Sequence, residues 1–353
     1  MGKALPRTPF RIRDTLNVLF LLLGIGLFAL LLVRLDAATI GEQLESIGWF
    51  VVPSVLAYVG NQLAATRAWQ VLLRSAGQDP GYAAMLRVMW MGHAINALTP
   101  GGSVGEVAKT TFLSRRGVPT TETVASLIIY NIQNAFVIGC FNLVAALLCV
   151  IFLPTMRDAT LPILAGSALS FAGIAVFFVV VSKSLAARTV RVLRRLPFLA
   201  RWINESALHR AEQVDDSVRS ILHGHRRAVV RAGLWIVLVR VMQVVEVGFL
   251  LIPIVPSDQL VLVALLTQVS SQLIVWIGAF VPSQVGVMAA GTAGVFKLAN
   301  LDPASGFAVA VARRVRTVFG IAVGLGLGAH AQLHSIATKR DGTDASNRPT
   351  DGS

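Results

Sequence analysis

The chain alternates long apolar runs with short polar interruptions, and most runs approach the length of a bilayer crossing, about 20 apolar residues. The first covers 17–33, behind Lys3, Arg7, Arg11 and Arg13. Its length and flanks predict a retained membrane helix rather than a cleaved signal. Next, 34–48 carries Asp36, Glu42 and Glu45 against one arginine, which predicts an outer connection. A second span is predicted over 49–73; Asn61, Gln62 and Arg67 within it must face protein or water.

The following runs are broken. An apolar helix predicted over 82–98 meets Thr99-Pro100-Gly101-Gly102-Ser103-Val104-Gly105, and a short helix over 106–115 ends at Arg115 and Arg116. Neither half spans comfortably, so the pair reads as a re-entrant hairpin entered from the basic, cytoplasmic side. Irregular backbone at membrane depth needs protein or a wet cavity around it. A long helix over 120–153 and a clean span over 161–181 follow.

The stretch 182–231 holds eleven Lys and Arg against four Asp and Glu, so it is expected in the cytoplasm. Part of it, with Leu193, Phe198 and Trp202 among arginines, resembles an interfacial amphipathic helix. Another span is expected over 232–252, carrying Arg240, Gln243 and Glu246. A run over 260–281 is then broken at Pro282-Ser283-Gln284-Val285-Gly286 and resumes to Leu298. Its flanks, Asp258 and Asp302, are acidic, so this second hairpin is expected to enter from outside. Asp302 before Pro303 predicts an N-cap with proline at the first helical position. The last helix is predicted to about Leu333.

Composition agrees with this reading. The 353 residues are 55% hydrophobic and 14% charged, with mean hydropathy +0.69. Soluble domains carry about 25% charged residues, so a soluble globular protein is excluded. The net charge of +13 lies between apolar runs. It therefore reads as topology signal, and no nucleic-acid partner is expected. The expected fold is all-α and polytopic, with about six full spans and two oppositely oriented re-entrant hairpins. One transmembrane domain covers 1–335, with repeat-like halves at 49–181 and 232–333 joined by 182–231; 336–353 is expected as a disordered polar tail.

Paired Pro/Gly-interrupted segments in inverted halves point to a transporter, with its site near the midplane. Asn96, Pro100, Gly105, Glu106 and Lys109, together with Val281-Pro282-Ser283-Gln284-Val285-Gly286 and Arg313-Arg314-x-Arg316, resemble the flippase-like transmembrane domain of lysylphosphatidylglycerol synthases. That group includes stand-alone bacterial proteins, among them a branch associated with hopanoid biosynthesis. The resemblance covers about 15–335. It implies movement of a lipid or lipid-linked head group between leaflets of the cytoplasmic (inner) membrane, with both termini cytoplasmic. Two departures stand out: Ala289 occupies the usual position of a glutamate, and Lys109 that of an arginine.

Candidate substrate-binding residues are Asn96, Glu106, Lys109, Asn131, Gln284, Arg313 and Arg316; the hairpin breaks are Pro100, Gly101, Gly102, Gly105, Pro282 and Gly286. Ser103 to Glu106 fits a capping box, so Glu106 either finishes a half-helix or offers a charge to a cation or to Lys109. The free N–H groups of a half-helix start also suit a phosphate. Arg313 and Arg316 share a helix face, with Arg314 about 100° away. They are expected either to line a wet cavity and bind a phosphate or to form salt bridges with Glu246 or Glu106. The asparagines and glutamines either orient a head group or bond neighbouring helices.

No metal ligand set, cofactor motif or catalytic signature is found, so enzymatic activity is not expected. The expected partner is a membrane lipid with an anionic or polar head group, with lipid-synthesis enzymes as further candidates. A small-solute transporter, or an accessory or enzymatic subunit of hopanoid or glycolipid synthesis, are the competing readings.

Overall fold

The computed structural model describes residues 37–99, 104–152, 205–277 and 285–346, with isolated helical positions between 164 and 175. The crossing expected over 17–33, most of that over 161–181, the amphipathic stretch before 205 and both hairpin tips lie outside the described residues. The described elements are all helical: α1 (Ala37–Ile47), a 3-10 turn (Gly48–Phe50), α2 (Val51–Ser75), α3 (Tyr82–Leu98), α4 (Val104–Ser114), α5 (Thr120–Phe152), α6 (Glu205–Gly224), α7 (Arg226–Leu251), α8 (Leu260–Ile277), α9 (Val285–Leu298) and α10 (Pro303–Ser346).

Three expectations change. The stretch read from its charges as an outer connection is the helix α1, because Leu44 and Ile47 fall on one face and pack into a core with Val247, Leu251 and Ala308. Helix α7 begins at Arg226, a turn and a half before the expected 232. Ala228 and Ala232 are buried there, while Arg226, Arg227 and Arg231 reach outward. Finally, α10 runs to Ser346, so 336–346 is helical rather than a disordered tail. No proline interrupts the chain between Pro303 and Pro349, which leaves nothing to enforce an earlier stop.

Two four-helix units share one order: a long helix, two short ones, a long one. They are α2, α3, α4, α5 and α7, α8, α9, α10. Helices α2 and α7 pack together most extensively, α3 packs on α10, and α8 packs on α5. Each broken pair thus leans on the last helix of the other unit. Glycines make the α3–α10 approach close. A Cβ on Gly324 would lie 2.5 Å from the Trp90 carbonyl oxygen of α3, and one on Gly320 would lie 2.6 Å from the Tyr58 hydroxyl of α2, which meets α10 beside it. With Gly328 these form a small-xxx-small series, the usual device for close contact between membrane helices.

Gln268, Glu246 and Arg240 are buried, whereas Val230, Leu234, Val237, Leu238, Val241 and Val245 are exposed along one stripe of α7. Among the described residues, three helical stretches are long and apolar enough to cross a membrane: Gly41–Ser75, Thr120–Leu148 and Arg226–Leu251. Charge inside and hydrocarbon outside is the pattern of a multi-pass membrane protein.

Candidate functional site

The sequence of α7 places Arg240, Gln243 and Glu246 at steps of three residues, so they project to one side of the helix, away from the exposed valines. Glu246 is fully enclosed. Arg316 donates from Nη1 to Glu246 Oε2, and Arg313 Nε lies 3.7 Å from Glu246 Oε1. The salt-bridge alternative for these arginines, with Glu246 as acceptor, is therefore the arrangement present.

Arg313 is held from α8 as well. Its Nη1 donates to Ser271 Oγ at 2.7 Å and its Nη2 to Gln268 Oε1 at 3.0 Å. Gln268 Nε2 donates to Gln243 Oε1 at 3.2 Å, and Arg240 Nη1 donates to the same oxygen at 2.6 Å. Arg240 Nη2 reaches Asn134 Oδ1 on α5 at 2.5 Å. The result is a continuous polar row, Asn134, Arg240, Gln243, Gln268, Arg313, Glu246, Arg316, drawn from α5, α7, α8 and α10. Each guanidinium at the centre of a crossing costs about 2.5–3.5 kcal/mol on insertion scales. Bonding to amides, a hydroxyl and one carboxylate offsets that cost.

Arg316 is the open end of the row. Its side chain is 21% exposed, and its guanidinium carbon sits 5.4 Å from the Tyr58 ring centroid, a cation–π distance. Tyr58 meets Trp90 edge-on at 5.7 Å and His93 at 5.9 Å between ring centroids.

The first broken pair supplies a second cluster. Lys109 Nζ bonds Glu106 Oε1 at 2.7 Å and lies 6.0 Å from the Trp69 ring centroid. The lysine is enclosed and the glutamate a third exposed. Asn96 Oδ1 accepts the Gly105 N–H at 2.6 Å, so α4 is capped across the hairpin from α3. Ser103, the capping residue expected from sequence, lies outside the described residues. A Cβ on Gly105 would lie 2.1 Å from the Gly92 carbonyl oxygen, so only glycine permits this approach.

The structure thus brings Asn96, Glu106, Lys109 and Gly105 into one group and Arg313 and Arg316 into another. Asn131 is exposed on α5; Asn134, nearly a turn later, is the residue that joins the row. Gly286 is buried at the start of α9. Pro100, Gly101, Gly102, Pro282 and Gln284 lie outside the described residues. Ala289 is buried in an apolar cluster with Ala293, Ala304, Phe307 and Ala310. Tyr58, Arg240, Gln243 and Gln268 were absent from the candidate set. Gln268 and Ser271 were findable as an i, i+3 pair within the polar stretch Thr267 to Gln272 of α8. Among the described residues no group of three His, Cys, Asp or Glu side chains is placed to hold a metal.

The family model described as lysylphosphatidylglycerol synthase TM region matches residues 17–324. No curated protein and no solved structure matches the chain.

Proposed function

The chain belongs to the lysylphosphatidylglycerol synthase TM region family, and from that premise we propose that it carries the polar head group of a membrane lipid, or a lipid-linked molecule, from one leaflet to the other. The observation that supports this reading most is the polar row at membrane depth, with Arg316 as its open end beside Tyr58. A head group crossing hydrocarbon needs replacement for its hydration shell. Guanidinium and amide groups supply it, while the tails stay in the bilayer. Arg316 meets the head group first, Lys109 and Glu106 face it from the other cluster, and Arg313 fixes the position of Glu246.

In this proposal the two broken pairs enter from opposite sides of a bacterial cytoplasmic membrane, with both termini cytoplasmic. The protein transports rather than catalyses. Energy comes from an ion gradient, a partner or the lipid gradient itself. Lipids retained by the purified protein test the reading. Selective enrichment of one anionic or glycosylated lipid by mass spectrometry, lost in Arg313→Ala/Arg316→Ala, supports it; a lipid profile equal to bulk membrane in both proteins counts against it. The same arginines suit a small oxyanion, which keeps a solute transporter as the second reading.

A further inference from the structure

Arg240 lies near the middle of α7 and is 6% exposed. Its two bonded nitrogens reach only neutral acceptors, the amide oxygens of Gln243 and Asn134. Its Nε is buried and carries no hydrogen bond among the described residues. No carboxylate lies within salt-bridge distance of it among those residues, and Glu246 is committed to Arg313 and Arg316. Glu246 Oε1 and Arg313 Nε, although 3.7 Å apart, are likewise buried without a hydrogen bond. The row therefore holds three guanidinium groups on a single carboxylate, with a donor left over on Arg240 and another on Arg313. Buried charge that is neither paired nor fully hydrogen-bonded is costly. That cost is removed when an anion enters.

We propose that Arg240, with Asn134 and Gln243, forms an oxyanion site for a phosphate group, continuous through Gln268 with Arg313 and Arg316, where Glu246 is the resident counter-ion that an arriving phosphate displaces. This rests on the transport reading for the identity of the cargo and on the geometry alone for the site. The chemistry selects a phosphate with no compensating amine. A zwitterionic head group would bring its own cation into a region already short of negative charge.

The test is a titration of the detergent-solubilised full chain, read by thermal unfolding. The probes are dihexanoyl phosphatidylglycerol, dihexanoyl phosphatidylcholine and inorganic phosphate. Phosphatidylglycerol is expected to raise the unfolding temperature with saturation, and phosphatidylcholine to have little effect. Arg240→Gln should weaken the phosphatidylglycerol response by about tenfold or more, as expected for hydrogen bonds to a charged group. Arg240→Lys should retain part of it. Glu246→Gln, which keeps the shape and removes the competing charge, should bind the anion more tightly than wild type.

Stabilisation by inorganic phosphate equal to that by the lipid would also support the site, and would assign its cargo to a free anion. Equal responses to both lipids, or unchanged binding in folded Arg240→Gln, would overturn the proposal. If Arg240→Gln does not fold, weaker binding by Glu246→Gln would overturn it independently. Leaflet transfer measured on the same proteins separates the two levels. Phosphate binding without transfer leaves the site and removes the transport reading; transfer unaffected by Arg240→Gln leaves transport and removes the site.

Discussion

Arg316 on α10 is paired with Glu246 on α7, a glutamate with no exposure of its own. The pair ties the last helix of one unit to the first helix of the same unit, through a contact that α7 and α10 otherwise make only sparsely. Because the same carboxylate faces Arg313, its removal strands two guanidinium groups. Glu246→Ala is expected to destabilise the fold by about 3–5 kcal/mol, and Arg316→Ala by less, since Arg313 still faces the Glu246 carboxylate when Arg316 is removed. Thermal unfolding in detergent measures both; a smaller loss for Glu246→Ala than for Arg316→Ala would contradict the assignment of the buried partner.

The glycine contacts give a second prediction. Gly105→Ala and Gly324→Ala each push a methyl group into a backbone carbonyl, at 2.1 Å and 2.5 Å. Both should reduce the yield of folded protein sharply. Gly326→Ala meets nothing within 4 Å and removes helical glycine, so it should be neutral or stabilising by up to about 1 kcal/mol. Size-exclusion profiles and melting curves of the three variants decide this.

At the start of α10, Asp302 accepts the backbone N–H groups of Ala304 at 3.1 Å and Ser305 at 3.3 Å. Asp302→Ala should cost about 1 kcal/mol and Asp302→Asn much less. Hydrogen exchange should speed up at Ala304 and Ser305 in the alanine variant first.

Between α2 and α3, Asp79 bonds Arg74, Gln70 and the Gly81 N–H. The Arg74 guanidinium beside it, above all, holds the carboxyl below the usual carboxylate range. A depressed value means that the stabilisation is present above the ordinary carboxylate range and is lost as pH falls through the lowered one. Hydrogen-exchange protection of the loop around Gly77 and Gly81, corrected for the intrinsic rate at each pH, should fall on acidification. Asp79→Asn should remove that dependence, and an unchanged acid response in this variant would contradict the role given to the carboxylate.

Much of this was legible from punctuation. Helix α3 has the bounds that the pattern predicts, because Gly81 and the Thr99-Pro100 step leave little choice. The Asp302–Pro303 start of α10 follows from capping chemistry in the same way. The sharing of a face by Arg313 and Arg316 follows from helical spacing, and the need to neutralise buried charge narrowed their acceptor to Glu246 or Glu106, between which the packing of α7 against α10 decides. The Arg240–Asn134 bond was not legible, because its residues are 106 positions apart and nothing local couples them. Helix α1 was missed because acidic side chains on its outer face dominated the reading over Leu44 and Ile47. Asn131 was preferred to Asn134 because sequence alone does not fix how α5 is rotated against α7.

The most direct measurement is leaflet transfer of a fluorescent phosphatidylglycerol in proteoliposomes, read by dithionite quenching, for wild type and Arg316→Ala. The account predicts that wild type exposes inner-leaflet probe well above protein-free vesicles, and that folded Arg316→Ala falls close to that background. Equal transfer by both proteins would contradict the claim that the buried arginine row carries the head group.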